Sequence, residues 1–338
     1  VPDTSMHAVT IEEYGDPDVF QDSDVSRPEP GSEEVLVRVE ASSVNPVEYK
    51  IRRGDLPPFA PDFPAILGCD VAGVVETVGD DVSAFDAGDE VYGMIGGVTG
   101  AQGAYAEYVS AHADLLAPAP DSLSLAEAAT LPVVALTAWE MLADKADTSA
   151  DDSTLVYGGA GGVGHVGVQL ADWLGAEVYA TGSTEDKRDL ATDLGATATI
   201  DYTATDVEEY VAEYTDGEGF DVVFDPVGDD HLQTAFEAVA PYQRVVTTES
   251  SSTQNLGAMH QKALSLGVVL AILPVLQQQS RERVGERLRH INDVISEGGL
   301  EPVLDDEQFP LTASGVADAH QYAESGEHRG KISLVREE

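Results

Sequence analysis

The chain reads as an α/β protein in which a β-rich, barrel-like half precedes a parallel, doubly wound sheet. Three observations predict this. Up to about Pro120, short apolar strands are broken by Gly, Pro and Asp. From Ser124 the texture turns Ala/Leu-rich and helical. From Thr154 strands and helices alternate, and the first strand-to-helix junction carries Gly159, Gly161 and Gly164 as G-x-G-x-x-G.

In the first half, Val35–Val39, Val71–Val78, Glu90–Tyr92 and Tyr105–Val109 read as strands, separated by turns such as Asp86-Ala87-Gly88-Asp89. Leu125–Ala143 reads as a helical stretch interrupted by Pro132. The alternation then runs through strand Thr154–Tyr157, helix Val163–Leu174, strand Glu177–Thr181, helix Glu185–Leu194 and strand Thr197–Ile200. It continues with helix Val207–Tyr214, strand Phe220–Asp225, helix His231–Val239 and strand Arg244–Thr248. Helices over Glu282–Ser296 and Ala313–Ala323 and a closing strand Lys331–Val335 end the chain. The expected domains are residues 1–125, rejoined by 298–338, and residues 126–297.

The glycine run has a chemical purpose at this place. A pyrophosphate must approach bare N–H groups at a helix N-terminus, through a turn too tight for side chains. A dinucleotide site usually carries an acid at the tip of the second strand, for the ribose hydroxyls. Here that strand ends in Gly182-Ser183-Thr184 without one, and Lys187 and Arg188 follow on the first turn of a helix. A hydroxyl and two cations suit a 2′-phosphate, so the expected cofactor is NADP(H). The competing reading is that Lys187 and Arg188 balance Glu185 and Asp186 on a solvated surface.

Composition narrows the setting. The 338 residues carry 17 Lys+Arg against 62 Asp+Glu, a net charge of −45, with 43% hydrophobic residues. Such self-repulsion needs screening, which concentrated salt supplies. The acids are spread along the chain rather than gathered in a block, so a salt-adapted cytoplasmic protein is expected. Nucleic-acid binding is disfavoured by the sign of the charge. One cysteine, Cys69, excludes an intramolecular disulfide and fits a reducing compartment. The longest apolar run, Leu264–Leu276, is short for a membrane span and contains Pro274.

Several ordered segments resemble the zinc-independent branch of the medium-chain dehydrogenase/reductase superfamily, near the NADPH:quinone oxidoreductases (zeta-crystallin-like) and related enone reductases. They are Asn45–Gly54, Gly68–Val75, Gly103–Val109, Leu136–Trp139, the glycine loop, Asp225–Gly228 and Arg329–Ile332. The resemblance implies a GroES-like barrel domain joined to a Rossmann NADP-binding domain. It also implies reduction of a quinone or an α,β-unsaturated carbonyl by hydride. The alternatives are an alcohol or aldehyde oxidoreductase, or a cofactor-binding protein without turnover.

Residue roles follow from the same resemblance. Asn45 is expected near the nicotinamide ribose, with Tyr49 and Lys50 as hydrogen-bond donors to the developing oxyanion. Arg53 and Tyr92 are the expected substrate contacts. Thr137, Ser250 and Leu270 are expected along the nicotinamide end. Gly161, Gly162 and Val163 would hold the pyrophosphate, Ser183 and Lys187 the 2′-phosphate, and Tyr202 the adenosine end. No metal is expected: Ser43 and Cys69-Asp70 stand where zinc-using relatives carry Cys and His-Glu, and one cysteine cannot build a Cys₄ site. A homodimer, formed through the edge strand near Leu266–Leu270, is also implied. Gln243 and Glu249 depart from the family's glycines, and Arg281–Arg289 reads as an ion-paired surface helix.

Overall fold

Alternating apolar residues in Glu34–Ser43 and Asp70–Val78 form the two longest neighbouring strands of a mainly antiparallel, barrel-like sheet. The computed structural model describes residues 5–248 and 251–337. The chain divides into two compact units. The first comprises residues 1–136, 272–296 and 302–338, and the second residues 137–271 and 297–301.

The first unit holds a seven-stranded sheet. Its path runs Phe309–Pro310, Ser333–Val335, Glu34–Ser43, Asp70–Val78, Glu90–Met94 and Leu116–Pro118, with Tyr108–His112 pairing on Glu34–Ser43. A smaller sheet pairs Ser5–Ile11 with Gln21–Ser26 and Ala65–Ile66. The C-terminal strand Ser333–Val335 pairs antiparallel with Glu34–Ser43. Helix Glu282–Ser296 also belongs to this unit, not to the second as the sequence reading placed it. Its apolar face (Val284, Leu288, Ile291 and Val294) is buried, and Gly285 lies close to the Asp114 and Leu116 carbonyls. An amphipathic stripe shows that a helix has a burial partner but not which sheet supplies it.

The second unit is a six-stranded sheet with every neighbouring pair parallel. Its path runs Ala198–Ile200, Glu177–Thr181, Ser153–Val156, Phe220–Asp225, Val239–Thr247 and Ser265–Val268. Numbered within the sheet this is the order 3-2-1-4-5-6 of a Rossmann domain, which binds its ligand at the C-terminal strand ends where the order reverses. The glycine loop follows Ser153–Val156, one of the two strands flanking that reversal. Helix boundaries depart from the expected ones by one or two residues. The Leu125–Ala143 segment divides into Leu125–Ala128, a helix Pro132–Trp139 that Pro132 opens at a position where its missing N–H costs nothing, and the start of a π-helix over Glu140–Lys145.

Candidate functional site

At the C-terminal strand ends of the second unit, Gly158 adopts φ +63°, and its N–H is held by the Thr181 hydroxyl at 3.0 Å. A side chain at Gly164 would collide with the Gly158 carbonyl, so the loop can close onto the helix only with glycine there. Gly161 starts helix Gly162–Trp173 without a side-chain cap. The N–H groups of its first turn, at Gly162 and Val163, are thus presented as donors with the helix dipole behind them. This chemistry fits a pyrophosphate.

The next strand ends at Thr181, and Ser183, half-buried, follows Gly182. Thr184 caps helix Glu185–Asp193 by accepting from the Lys187 N–H at 3.3 Å. Arg188 is largely committed: it donates to the Gly182 carbonyl at 3.2 Å and pairs with Asp201 at 2.9 Å. Asp201 is held below the usual carboxylate range, chiefly by hydrogen bonds from Thr203. Tyr202 is 46% exposed and follows the third strand.

Beside this loop opens a cavity of about 520 Å³, lined by Tyr157, Thr181, Tyr202, Tyr210, His231 and Thr234 among others. The His231 ring lies 6.1 Å from that of Tyr157 and 6.0 Å from that of Tyr202, edge-on to both. Flat aromatic walls of this kind suit a planar heterocycle. Sequence reading found Tyr202 but missed Tyr157, Tyr210 and His231, which lie far apart in the chain. Their only signal was placement after, or on a helix following, a sheet strand. The Asp225 carboxylate organises the neighbouring turn. It accepts from the N–H groups of Val227 and Gly228, at 3.1 and 2.9 Å, and from the Thr247 hydroxyl at 3.1 Å. Burial raises its pKa against those three bonds. Thr137 is buried, and Leu270 is exposed just beyond the edge strand. Ser250, like Glu249, lies outside the described residues.

The first unit contributes helix Pro46–Arg53. Asn45 and Glu48 form its capping box, with the Asn45 N–H donating to Glu48 Oε2 at 2.6 Å. Tyr49 is half-buried and Lys50 is exposed. Burial raises the Tyr49 phenol above its ordinary value while Arg53 pulls it back, so it remains a proton-bearing donor at neutral pH. Asn45 is not a free donor. It is 1% exposed, its Nδ2 donates to Asp70 at 2.8 Å, and its Oδ1 accepts from Lys331 at 2.5 Å. Arg53 is likewise engaged, by Asp55 at 2.7 Å and Glu324 at 3.0 Å.

Tyr92 corrects an expectation. It is fully buried, and its hydroxyl donates to Asn292 Oδ1 at 2.6 Å, with the Leu288 carbonyl 3.1 Å away. Helix Glu282–Ser296 covers this face of the strand, so a residue expected to line the substrate cleft is core. Tyr105 is buried too, with its hydroxyl on the Ser43 carbonyl and on His320.

Two segments match known families. Residues 31–121 match the alcohol dehydrogenase GroES-like domain, and residues 162–271 match the zinc-binding dehydrogenase family. A 2-methylene-furan-3-one reductase of Solanum lycopersicum is 35% identical over 98% of this chain and 79% of its own. The chain belongs to the medium-chain dehydrogenase/reductase family. Among solved structures of this family, an alcohol dehydrogenase superfamily protein from Novosphingobium aromaticivorans has a TM-score of 0.93. It is 36% identical and covers 98% of this chain and 100% of its own. The Escherichia coli quinone oxidoreductase, solved with NADPH, has a TM-score of 0.86 at 28% identity, over 97% of this chain and 99% of its own.

The zinc named in one family description meets unsuitable donors here. The Ser43 hydroxyl donates to Asp70 Oδ2 at 2.6 Å, and Asp70 Oδ1 accepts from the Val133 N–H at 2.8 Å. Cys69 is buried, and burial, with Glu48 and Asp70 adding to it, pushes its thiol well up; among the described residues no group of three or more His, Cys, Asp or Glu side chains is placed to hold a metal ion. These residues do not fit the ion.

Proposed function

We propose that this chain is an NADPH-dependent reductase that delivers hydride to a quinone or an α,β-unsaturated carbonyl, without zinc. The observation that carries the reading is the uncapped glycine-loop helix, followed by a strand whose tip offers Ser183 and Lys187 in place of an acid. Gly161, Gly162 and Val163 hold the pyrophosphate by their backbone. Ser183 and Lys187 take the 2′-phosphate, and the tyrosine-lined cavity takes the adenosine end. The occurrence of quinone and furanone reductases among similar proteins supports the substrate class.

Bound NADPH supplies the hydride. The protein must then stabilise charge on the carbonyl oxygen and return a proton. Tyr49 is the group suited to both: it carries its proton at neutral pH, and it sits on a helix braced at its N-terminus. Lys50 adds a mobile positive charge. Arg53, neutralised by two carboxylates, orients the Tyr49 ring rather than meeting substrate.

Among the described residues no helix is long and apolar enough to cross a membrane. The single cysteine and the dispersed negative charge support a cytoplasmic setting in a high-salt cell. We assign homodimerisation to the edge strand Ser265–Val268, which pairs on one side with Val239–Thr247 and carries exposed Val268, with exposed Leu270 just beyond it. Light scattering of Val268→Asp tests this, with a monomer expected.

The deciding experiment follows NADPH oxidation, with NADH as control, in about 2 M KCl, where charge is screened. The acceptors are a simple quinone, an enone and an aldehyde, each with and without chelator. Chelator-insensitive turnover of quinone or enone with NADPH preferred is expected. Turnover of the aldehyde alone, abolished by chelator, would sink the reading.

A further inference from the structure

Behind helix Pro46–Arg53 two carboxylates and one ammonium are buried together. The Lys331 ammonium donates to Asn45 Oδ1 at 2.5 Å and to the Val44 carbonyl at 2.8 Å, and lies 3.8 Å from Asp70 Oδ2. Glu48 accepts from the backbone N–H groups of Asn45 and Cys69, at 2.6 and 2.8 Å, and from Asn45 Nδ2 at 3.2 Å. Lys331, Asp70, Glu48 and Asn45 are all buried, so water screens none of these charges.

The chemistry of the donors leaves Asn45 one orientation. An ammonium only donates and a carboxylate only accepts. The amide between them must therefore turn its oxygen to Lys331 and its nitrogen to Asp70. Asn45 is also the first residue of the capping box, so whatever fixes it fixes the first turn of the helix that carries Tyr49.

We propose that Lys331 is a positioning residue for the reduction: by holding the Asn45 amide against Asp70 it sets the pose of Tyr49. It works as the cation that balances Asp70 and Glu48, not as a substrate contact. Burial lowers the Lys331 pKa and the Asp70 and Glu48 carboxylates oppose that shift; the geometry suits an ammonium, which donates to Asn45 Oδ1 and the Val44 carbonyl beside Asp70. The kinetic arm of this inference rests on the reductase reading above.

The pairing predicts a specific rescue. In Lys331→Met the carboxylates lose their counter-charge and Asn45 Oδ1 loses its donor. In Asp70→Asn the new amide faces the Asn45 nitrogen, donor against donor, if its own oxygen keeps the Val133 N–H. In the double variant Lys331→Met/Asp70→Asn one charge of each sign is gone. The Asn45 amide can then turn over, so that its oxygen accepts from the new amide, at the loss of its 3.2 Å bond to Glu48, which makes the recovery partial. Each single variant is expected to lose roughly tenfold in kcat, with the double recovering to within roughly threefold of the parent. KM for NADPH should stay within about twofold throughout, and each kcat is taken per folded enzyme, so that a loss of folded protein does not register as a loss of kcat. All rates are taken well below each variant's Tm.

Losses that simply multiply in the double variant, or a Lys331→Met enzyme with kcat within about twofold of the parent, would overturn the proposal. Should Lys331→Met fail to fold, the comparison of Asp70→Asn with the double variant decides. A faster double supports the pairing; a slower or unfolded one refutes it. Tm values of the same set follow the same sign rule and need no substrate. If the parent turns over neither quinone nor enone, the reductase reading falls, while Tm recovery in the double still reports the Lys331–Asp70 coupling.

Discussion

The Arg53 guanidinium lies 5.4 Å from the centre of the Tyr49 ring, while its nitrogens are held by Asp55 and Glu324. The cation therefore orients the ring, and its charge is already balanced. Tyr49→Phe keeps the ring and removes the donor. It should lower kcat on the preferred acceptor by about 10²-fold, with KM for NADPH unchanged. Because burial raises the Tyr49 pKa above the ordinary phenol value, the phenol that must be protonated keeps its proton through neutral and mildly alkaline pH. The kcat profile between pH 7 and 9.5 should show no alkaline limb from this group. A Tyr49→Phe enzyme as fast as its parent would transfer the role to Lys50.

Cofactor preference should reside in two side chains. Lys187→Ala should raise KM for NADPH by about tenfold and leave KM for NADH nearly unchanged, since the lost charge-assisted bond exists only with the 2′-phosphate. Ser183→Asp should do more, repelling that phosphate and offering the ribose hydroxyls an acceptor. Steady-state kinetics with both nucleotides check this. Equal losses with NADH and NADPH would move the phosphate site elsewhere.

What the sequence revealed follows a physical pattern. The parallel sheet and the glycine loop were legible because each rests on a local rule: strand and helix alternation, and a turn that tolerates no Cβ. Tyr92 misled because alternation tells which face a residue takes, not what later covers that face. In this chain the cover is helix Glu282–Ser296, about two hundred residues on. Lys331 was visible only as part of the Arg329–Ile332 motif. Its bond to Asn45 joins residues 286 positions apart, and no local pattern encodes that. A signal did exist: Asp70 and Lys331 are charges set among buried apolar neighbours, in a chain with few cations to spare.

Salt should be a stabiliser over an unusual range. With a net charge of −45, raising KCl from about 0.1 M to 1 M cuts the Debye length from about 10 to 3 Å and removes most of the acid–acid repulsion. Tm is expected to climb steeply through that interval and to flatten above it. An unchanged Tm would contradict the salt-adapted reading.

Tyr242 sits at φ +68° and is 82% exposed, in the strand where Gln243 rather than glycine precedes Arg244. The left-handed backbone thus falls one residue before the departure noted from sequence. A tyrosine there bears strain that no burial offsets. Tyr242→Gly should stabilise the protein by about 0.5–1 kcal/mol, since relief of αL strain exceeds the added chain entropy of glycine. Thermal unfolding of the two proteins gives the sign directly.

His320 gives the fold an acid-sensitive point. It is fully buried beside Phe20, with its Nε2 on the Tyr105 hydroxyl at 3.2 Å, and burial, assisted by the Arg52 charge, lowers its pKa to about 3. In the unfolded chain the imidazole titrates near pH 6.5. Between those values the unfolded state binds a proton that the native state refuses. Stability from this residue is therefore complete above about pH 6.5 and lost progressively as pH falls towards 3, by several kcal/mol in all. His320→Gln can keep a bond to Tyr105 but does not titrate. Its stability, measured in denaturant at high salt, should fall less than the parent's from pH 7 to 4.5, and the two curves should run parallel above pH 7. Parallel curves throughout would mean that the native imidazole accepts its proton, and that His320 is not sealed from water as its surroundings indicate.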